Sequence, residues 1–266
     1  MYQIVFFIIK HIEYIDCIVI SIIFSSFKYY FFKNVIYEKC ILCSLMDFDI
    51  VLSAVLVVYT ALVLYLTKYV YIIGRNKGLN SKDAVYYNRK FVHIFAGGVV
   101  ALFVPLYSSP FYPLIAGFLL ALVTYFSHEK GDKLYWFQNK KDINDVTFCL
   151  MWGISIFVLW VLFDNPYLAI LPAIFMAFGD GITGIIRNAF FGERSKHYIG
   201  NVFMALTCIP LGYLFGSFAG LAVGGMLAGG IASVIEHYEF GLIDDNILIT
   251  LSSSLILILS FYITFG

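Results

Sequence analysis

The stretch Phe178-Gly179-Asp180-Gly181-Ile182-Thr183-Gly184-Ile185-Ile186-Arg187 closes an apolar run that begins at Pro166 and carries no charge before Asp180. Read as a helix rising ~1.5 Å per residue, it places Asp180 ~20 Å along a segment that must cross ~30 Å of hydrocarbon. A carboxylate at that depth is expensive and marks a functional site by default. Spacings of three, four and seven put Asp180, Thr183, Gly184 and Arg187 on one helical face. The two glycines after the aspartate leave that face open to something bulky.

The chain around this stretch reads as a membrane protein. Its 266 residues are 61% hydrophobic and 13% charged, with a mean hydropathy of +0.88; a soluble domain carries about twice that charge fraction. Clean apolar spans run over Ile50–Ile73, Phe91–Tyr107, Phe111–Phe126, Val146–Phe163, Pro166–Ile186, Val202–Gly216, Phe218–Ile235 and Ile247–Phe265. The expected fold class is therefore all-α, a polytopic helical membrane protein with about eight transmembrane helices after Met46, forming a single domain over 46–266.

Residues 1–45 break the pattern. The patches Ile4–Ile9 and Cys17–Phe27 are interrupted by Lys10, Glu13 and Asp16, then followed by Lys28, Lys33, Glu38 and Lys39. Neither the basic start nor the small-residue cleavage site of a signal peptide is present. This segment is expected to be an N-terminal extension, interfacial or lying before the native start. Cys40 and Cys43 form a lone CxxC with no second pair and no nearby histidine, so neither a disulfide framework nor a metal role is expected of them.

Charge placement decides orientation. Arg75, Lys77, Lys82, Arg89 and Lys90 lie between the first two spans; Lys130, Lys133, Lys140 and Lys141 occupy the next long loop, and Arg187, Arg194 and Lys196 the third. The alternate links hold no Lys or Arg, so the positive-inside rule places every long polar loop, and the chemistry with it, on the cytoplasmic side.

Four further clusters sit on that side. Asn88-Arg89-Lys90-Phe91-Val92-His93 enters the second span; two cations and an imidazole at a helix start suit phosphate oxygens. Snorkelling to headgroups explains Arg89 and Lys90 equally well, but not His93 one turn deeper. Ser127-His128-Glu129-Lys130 follows the third span, where Glu129 reads either as a ligand or as a solvated helix end. Asp142, Asn144 and Asp145 read as the cap of the next helix. Ser195-Lys196-His197-Tyr198-Ile199-Gly200-Asn201 enters the sixth span, and Gly200, four residues on, is expected to clear room beside Lys196 for a phosphate at a helix start. Glu236, His237 and Glu239 close one helix, and Asp244-Asp245-Asn246 opens the last. Two acids and an Asn exceed what a cap needs, and Mg²⁺ favours such oxygen ligands, so Asp180 with Asp245 or Glu236 is a candidate metal site. Gly212, Gly216, Gly220, Gly224, Gly225, Gly229 and Gly230 fall at small-xxx-small spacing and are assigned to helix packing.

Together these clusters resemble the polyprenol kinase family: dolichol kinase, phytol kinase and the CTP-dependent diacylglycerol kinase of yeast type, related to integral-membrane phosphatidate cytidylyltransferases. Arg89-Lys90-Phe91-Val92-His93 matches an Arg-Lys-x-x-His motif, Gly179-Asp180 onward a Gly-Asp stretch, Lys196 and Gly200 a Lys-Ser-x-Glu-Gly-Ser motif, and Asp245-Asn246 an Asp-Asn before the last helix. His197, Ile199 and Asn201 depart from the Ser, Glu and Ser of the third motif. The resemblance, over roughly residues 50–266, implies transfer of the terminal phosphate of CTP to a polyprenol-type alcohol or diacylglycerol. It also implies Mg²⁺ as cofactor, and a multi-pass protein of a prokaryotic plasma membrane or the endoplasmic reticulum. Catalytic roles then fall to Asp180, His93 and Lys196, and phosphate contacts to Arg89, Lys90, Gly184, Gly200 and Asn201. Metal ligation falls to Asp180, Asp245 and Glu236, with Glu129, Asp244 and Asn246 as further candidates. Lipid, nucleotide and bilayer are the expected partners, and nucleic acid is not. The rivals are a cytidylyltransferase making a CDP-lipid and a small-molecule transporter, the latter disfavoured because the polar residues gather at one face and no matching halves repeat.

Overall fold

A computed structural model of the chain describes residues 39–129, 134–138, 143–191, 196–238 and 243–266, with side chains from residue 48 onward. The chain divides into two compact units, Met1–Phe48 and Asp49–Gly266. The reading of residues 1–45 lies outside the described residues apart from the helical backbone that starts at Lys39, and so do the expectations for Lys130, Lys133, Lys140, Lys141, Asp142, Arg194, Ser195 and Glu239.

The helices are α1 (Lys39–Asn76), α2 (Ser81–Leu106), α3 (Phe111–Glu129), α4 (Asn144–Phe163), α5 (Pro166–Phe191), α6 (Ile199–Ser217), α7 (Ala222–Ile235) and α8 (Asp245–Phe265). Seven of them are long and apolar enough to cross a membrane. The remaining one, α7, has 14 residues, about 21 Å of helix, which is less than the hydrocarbon thickness. Its expected start at Phe218 moves to Ala222 because Gly220 adopts φ +71° in the preceding turn, a conformation that ends helical propagation.

Local chemistry sets the other ends. Gly78, at φ +92°, turns the chain between α1 and α2, and the Asn80 side chain then accepts the Asp83 N–H to cap α2. This cap starts α2 ten residues before its apolar run, so Arg89, Lys90 and His93 lie within the helix and not at a helix start as expected. Between α4 and α5 the two-residue link does two jobs. Asp164 takes the left-handed conformation (φ 49°) that closes α4, and Asn165 accepts the Tyr167 and Leu168 N–H groups ahead of Pro166.

The centre of the bundle is α5. Of its most apolar residues 78% are buried, where no other span exceeds 50%, and Leu168, Ile170, Leu171, Ile174, Phe175 and Met176 have no exposed surface. It packs against α2, α4, α6 and α8. The pair α6–α7 approaches backbone to backbone: a Cβ on Gly212 would stand 2.1 Å from the Gly225 carbonyl oxygen, and one on Gly229 2.5 Å from that of Cys208. The small-residue spacing thus serves packing at those positions. Gly220 instead makes the turn, and a Cβ on Gly230 would meet, among the described residues, only Ile209 at 4.0 Å.

Candidate active site

Residues within or beside six helices converge on one cleft. It is lined by Tyr86, Arg89, Lys90 and His93 of α2, Asn144 of α4, Asp180 and Arg187 of α5, Lys196 before α6, Glu236 after α7, and Asp245 and Asn246 of α8. The room among these side chains is about 20 Å³, enough for roughly one water.

Two buried ion pairs form its floor. Lys90 Nζ donates to both oxygens of Asp180, at 2.6 and 2.7 Å, with Asp180 only 2% exposed. The Lys90 chain reaches the aspartate through a notch at Gly184, where a Cβ would fall 2.3 Å from Lys90 Cε and 2.8 Å from the Tyr86 hydroxyl. The opening beside Asp180 is therefore filled by a lysine. Arg187 forms the second pair, a fork onto Glu236 with Nη1–Oε1 at 2.7 Å and Nη2–Oε2 at 2.8 Å. Its remaining donors reach Asn201 Oδ1 (2.8 Å) and the His197 carbonyl (2.9 Å). Gly200 makes room for this guanidinium: a Cβ there would stand 2.3 Å from Arg187 Nε. The expected clearance beside Lys196 is thus corrected, because Arg187 takes that space. The single face of α5 foreseen for Asp180, Thr183, Gly184 and Arg187 is shared between two neighbours, α2 on the side of Gly184 and α6 on the side of Thr183 and Arg187.

Removing one partner of such a pair costs far more than the pair itself contributes, so both are commitments of the fold. Lys196 stands between the remaining acids, its Nζ 3.6 Å from Glu236 Oε1, 3.6 Å from Asp245 Oδ2, and donating to the Glu236 carbonyl at 3.1 Å.

Helix distortion aims the side chains. His93 opens a π-helical turn, His93–Gly98, and another, Phe175–Gly179, ends directly before Asp180. The two turns pack against each other. A π turn inserts an extra residue and rotates the side chains beyond it, which is why such turns gather at functional sites. The His93 ring stacks on Phe148 at 4.1 Å, and its Nδ1 lies 3.3 Å from Asp180 Oδ2, off the alignment of a hydrogen bond.

The residues fit a divalent cation. Asp180, Glu236 and Asp245 each present a carboxylate oxygen, all within 4.8 Å of one another. Beside them, buried Asn246 Oδ1 has no hydrogen-bond partner among the described residues, while its Nδ2 donates to the Asn144 carbonyl at 3.0 Å. Oxygen donors in this number suit Mg²⁺, which retains several waters.

Other expected residues lie elsewhere. Glu129 is exposed at the end of α3 and does not line the cleft. Asp244 caps α8 by accepting the Ile247 N–H at 3.0 Å and the Thr147 hydroxyl; burial pushes its carboxyl above the usual range. Asn201 braces Arg187 and Glu236 from the side. Asp145, read as a cap, instead accepts from Gln138 Nε2 at 2.5 Å and pairs with His128 Nε2 at 2.9 Å. Tyr86, Asn144 and the role of Arg187 are not foreseen from the sequence. Arg187 shares a face with Asp180, which is a usable signal, but its place at the loop makes it read as an orienting charge.

Compared with protein-family models, curated proteins and solved structures, the chain matches none of them.

Proposed function

We propose that the chain is a membrane-embedded lipid-alcohol kinase working at the cytoplasmic face. The observation that carries this reading is the alternation, at one end of the bundle, of three carboxylates within 4.8 Å with Lys90, Arg187 and Lys196. Phosphoryl transfer asks a protein for alignment and charge neutralisation more than for covalent chemistry, and this alternation supports both. The all-helical bundle supports a substrate that arrives from the bilayer.

In the proposed reaction the oxygen of a lipid hydroxyl bonds to the terminal phosphorus of a nucleoside triphosphate, CTP by the resemblance. The bond from that phosphorus to the bridging oxygen breaks, and the nucleoside diphosphate leaves with its electron pair. The hydroxyl proton passes to a base. His93 suits that role better than Asp180, whose two oxygens both accept from Lys90. Arg89, Lys90 and Lys196 line the cleft toward the phosphates, and Arg187 holds Glu236 in place. A Mg²⁺ held by Asp180, Glu236 and Asp245 would neutralise charge on the phosphate oxygens.

The test uses the full chain, purified into lipid nanodiscs and incubated with radiolabelled CTP or ATP and a panel of polyprenols, phytol, geranylgeraniol and diacylglycerol. Phosphorylated alcohol and nucleoside diphosphate in equal amounts are expected. With phosphatidate or a polyprenyl phosphate supplied as acceptor in a parallel reaction, a CDP-lipid with pyrophosphate would reassign the reaction as cytidylyl transfer, and nucleotide left unconsumed with every acceptor would overturn it.

A further inference from the structure

The acids of the cleft already have their counter-charges. Asp180 is neutralised by Lys90, Glu236 by Arg187, and Asp245 stands 3.6 Å from Lys196. A bare divalent cation entering among them would meet three positive groups at close range, with the Lys90 ammonium covering both oxygens it needs from Asp180. Like charges so close oppose one another strongly when they are shielded from water.

The two buried cations differ in freedom. Arg187 is fixed by Glu236, Asn201 and the His197 carbonyl together, through all three of its nitrogens. Among the described residues Lys90 donates to Asp180 alone, through its single ammonium, which lies 5.4 Å from the Tyr86 ring and hangs on a flexible chain lying in the Gly184 notch. A polyphosphate gives that ammonium a second anionic partner and brings negative charge to offset the incoming metal. An independent mark of a ligand lies alongside: Asn246, 1% exposed and part of the cleft lining, has a buried Oδ1 with no donor to satisfy it among the described residues. A buried acceptor of this kind needs a partner.

We infer that Lys90 is the resident counter-ion of Asp180 and makes cation binding conditional on a polyphosphate, so that metal and phosphates load together and free divalent cation is refused. This deepens the phosphoryl-transfer reading and rests on it for the identity of the anion. Linkage requires the effect to be reciprocal, with the metal raising polyphosphate affinity by the same factor.

Equilibrium dialysis of the full chain in nanodiscs, with Mn²⁺ and radiolabelled inorganic pyrophosphate as probes and no turnover, measures it from both sides. The wild type is expected to retain the Mn²⁺–pyrophosphate complex at a concentration at least tenfold below that needed for Mn²⁺ alone. In Lys90→Met, free Mn²⁺ should bind at least tenfold more tightly than in the wild type, and the coupling factor should fall toward one. Lys90→Gln, which removes the charge and keeps an N–H donor at the end of the side chain, covers the case in which Lys90→Met does not fold; it too should gain at least tenfold in free Mn²⁺ affinity. Equal Mn²⁺ binding by the wild type with and without pyrophosphate, no binding of either probe, or no gain in a folded variant overturns the inference. Coupled binding without any phosphorylated alcohol would remove the kinase reading and leave this one. Alcohol phosphorylation with uncoupled binding would do the reverse.

Discussion

At the residue scale the decisive group is Asp180, because everything around it exists to hold a charge where hydrocarbon would exclude one. Lys90 neutralises it, Gly184 admits the lysine chain, and His93 lies alongside. Asp180→Asn keeps the shape and leaves Lys90 buried without a counter-charge, so it should destabilise the fold by roughly 3–5 kcal/mol. It should also reduce phosphorylated product by at least about 100-fold, the scale of losing one electrostatic contact to the reacting group. Thermal unfolding in detergent and product counting separate the two effects. Adding Lys90→Met to Asp180→Asn removes the stranded charge, and the double variant should recover part of the stability and none of the activity; purely additive losses would show that the pair is not the stabilising unit. Asp180 can be picked out of the sequence because depth in an apolar run is a one-dimensional property. Its partner cannot, since 90 residues separate Lys90 from Asp180 and a lysine at a span entrance reads equally well as a headgroup contact. Arg187 is hidden for the same reason: the sequence places it beside a loop, and only the packing of α6 and α7 against α5 reveals that it is buried on Glu236.

At the element scale the bundle depends on close helix approach at a few glycines, which are visible in the sequence as spacing even though their contacts are not. The contacts sort them. Gly212 and Gly225 face each other's carbonyls at 2.1 and 2.0 Å from where a Cβ would stand, so Gly212→Ala or Gly225→Ala forces α6 and α7 apart. Either change should cost about 1–3 kcal/mol, the usual range for overpacking, and lower the midpoint of thermal unfolding. Gly230→Ala meets nothing closer than 4.0 Å among the described residues and should leave that midpoint unchanged or raised slightly. Spans are legible wherever apolar residues run unbroken. Helix α2 reads as starting late, at Phe91 instead of Ser81, because its first turns are polar and only the Asn80 cap reveals them. The π turns at His93–Gly98 and Phe175–Gly179 have no signal at all in the sequence, as they arise from how α2 and α5 pack together.

At the scale of the whole molecule, the cleft lies at the end of the bundle where α1 gives way to α2, beside the basic Arg75, Lys77 and Lys82. The links at the other end carry no Lys or Arg, and there the Asp49 carboxylate ties α1 to the α2–α3 link by accepting the Ser108 N–H at 3.1 Å and the Ser108 hydroxyl. A nucleotide-using site is useful only where nucleotide is present, so the function proposed stands or falls with the direction in which this bundle is inserted. The orientation proposed, which the positive-inside rule predicts, has the cleft facing the cytoplasm. Single cysteines in a background lacking the five native ones read this out directly. Ser109→Cys and Ser217→Cys mark the uncharged links, and Lys77→Cys and His237→Cys mark the cleft end. A membrane-impermeant maleimide applied to intact cells should label the first two, and should reach residues 77 and 237 only after permeabilisation. The opposite pattern would open the cleft to the outside, where neither CTP nor ATP is maintained, and a kinase could not work there.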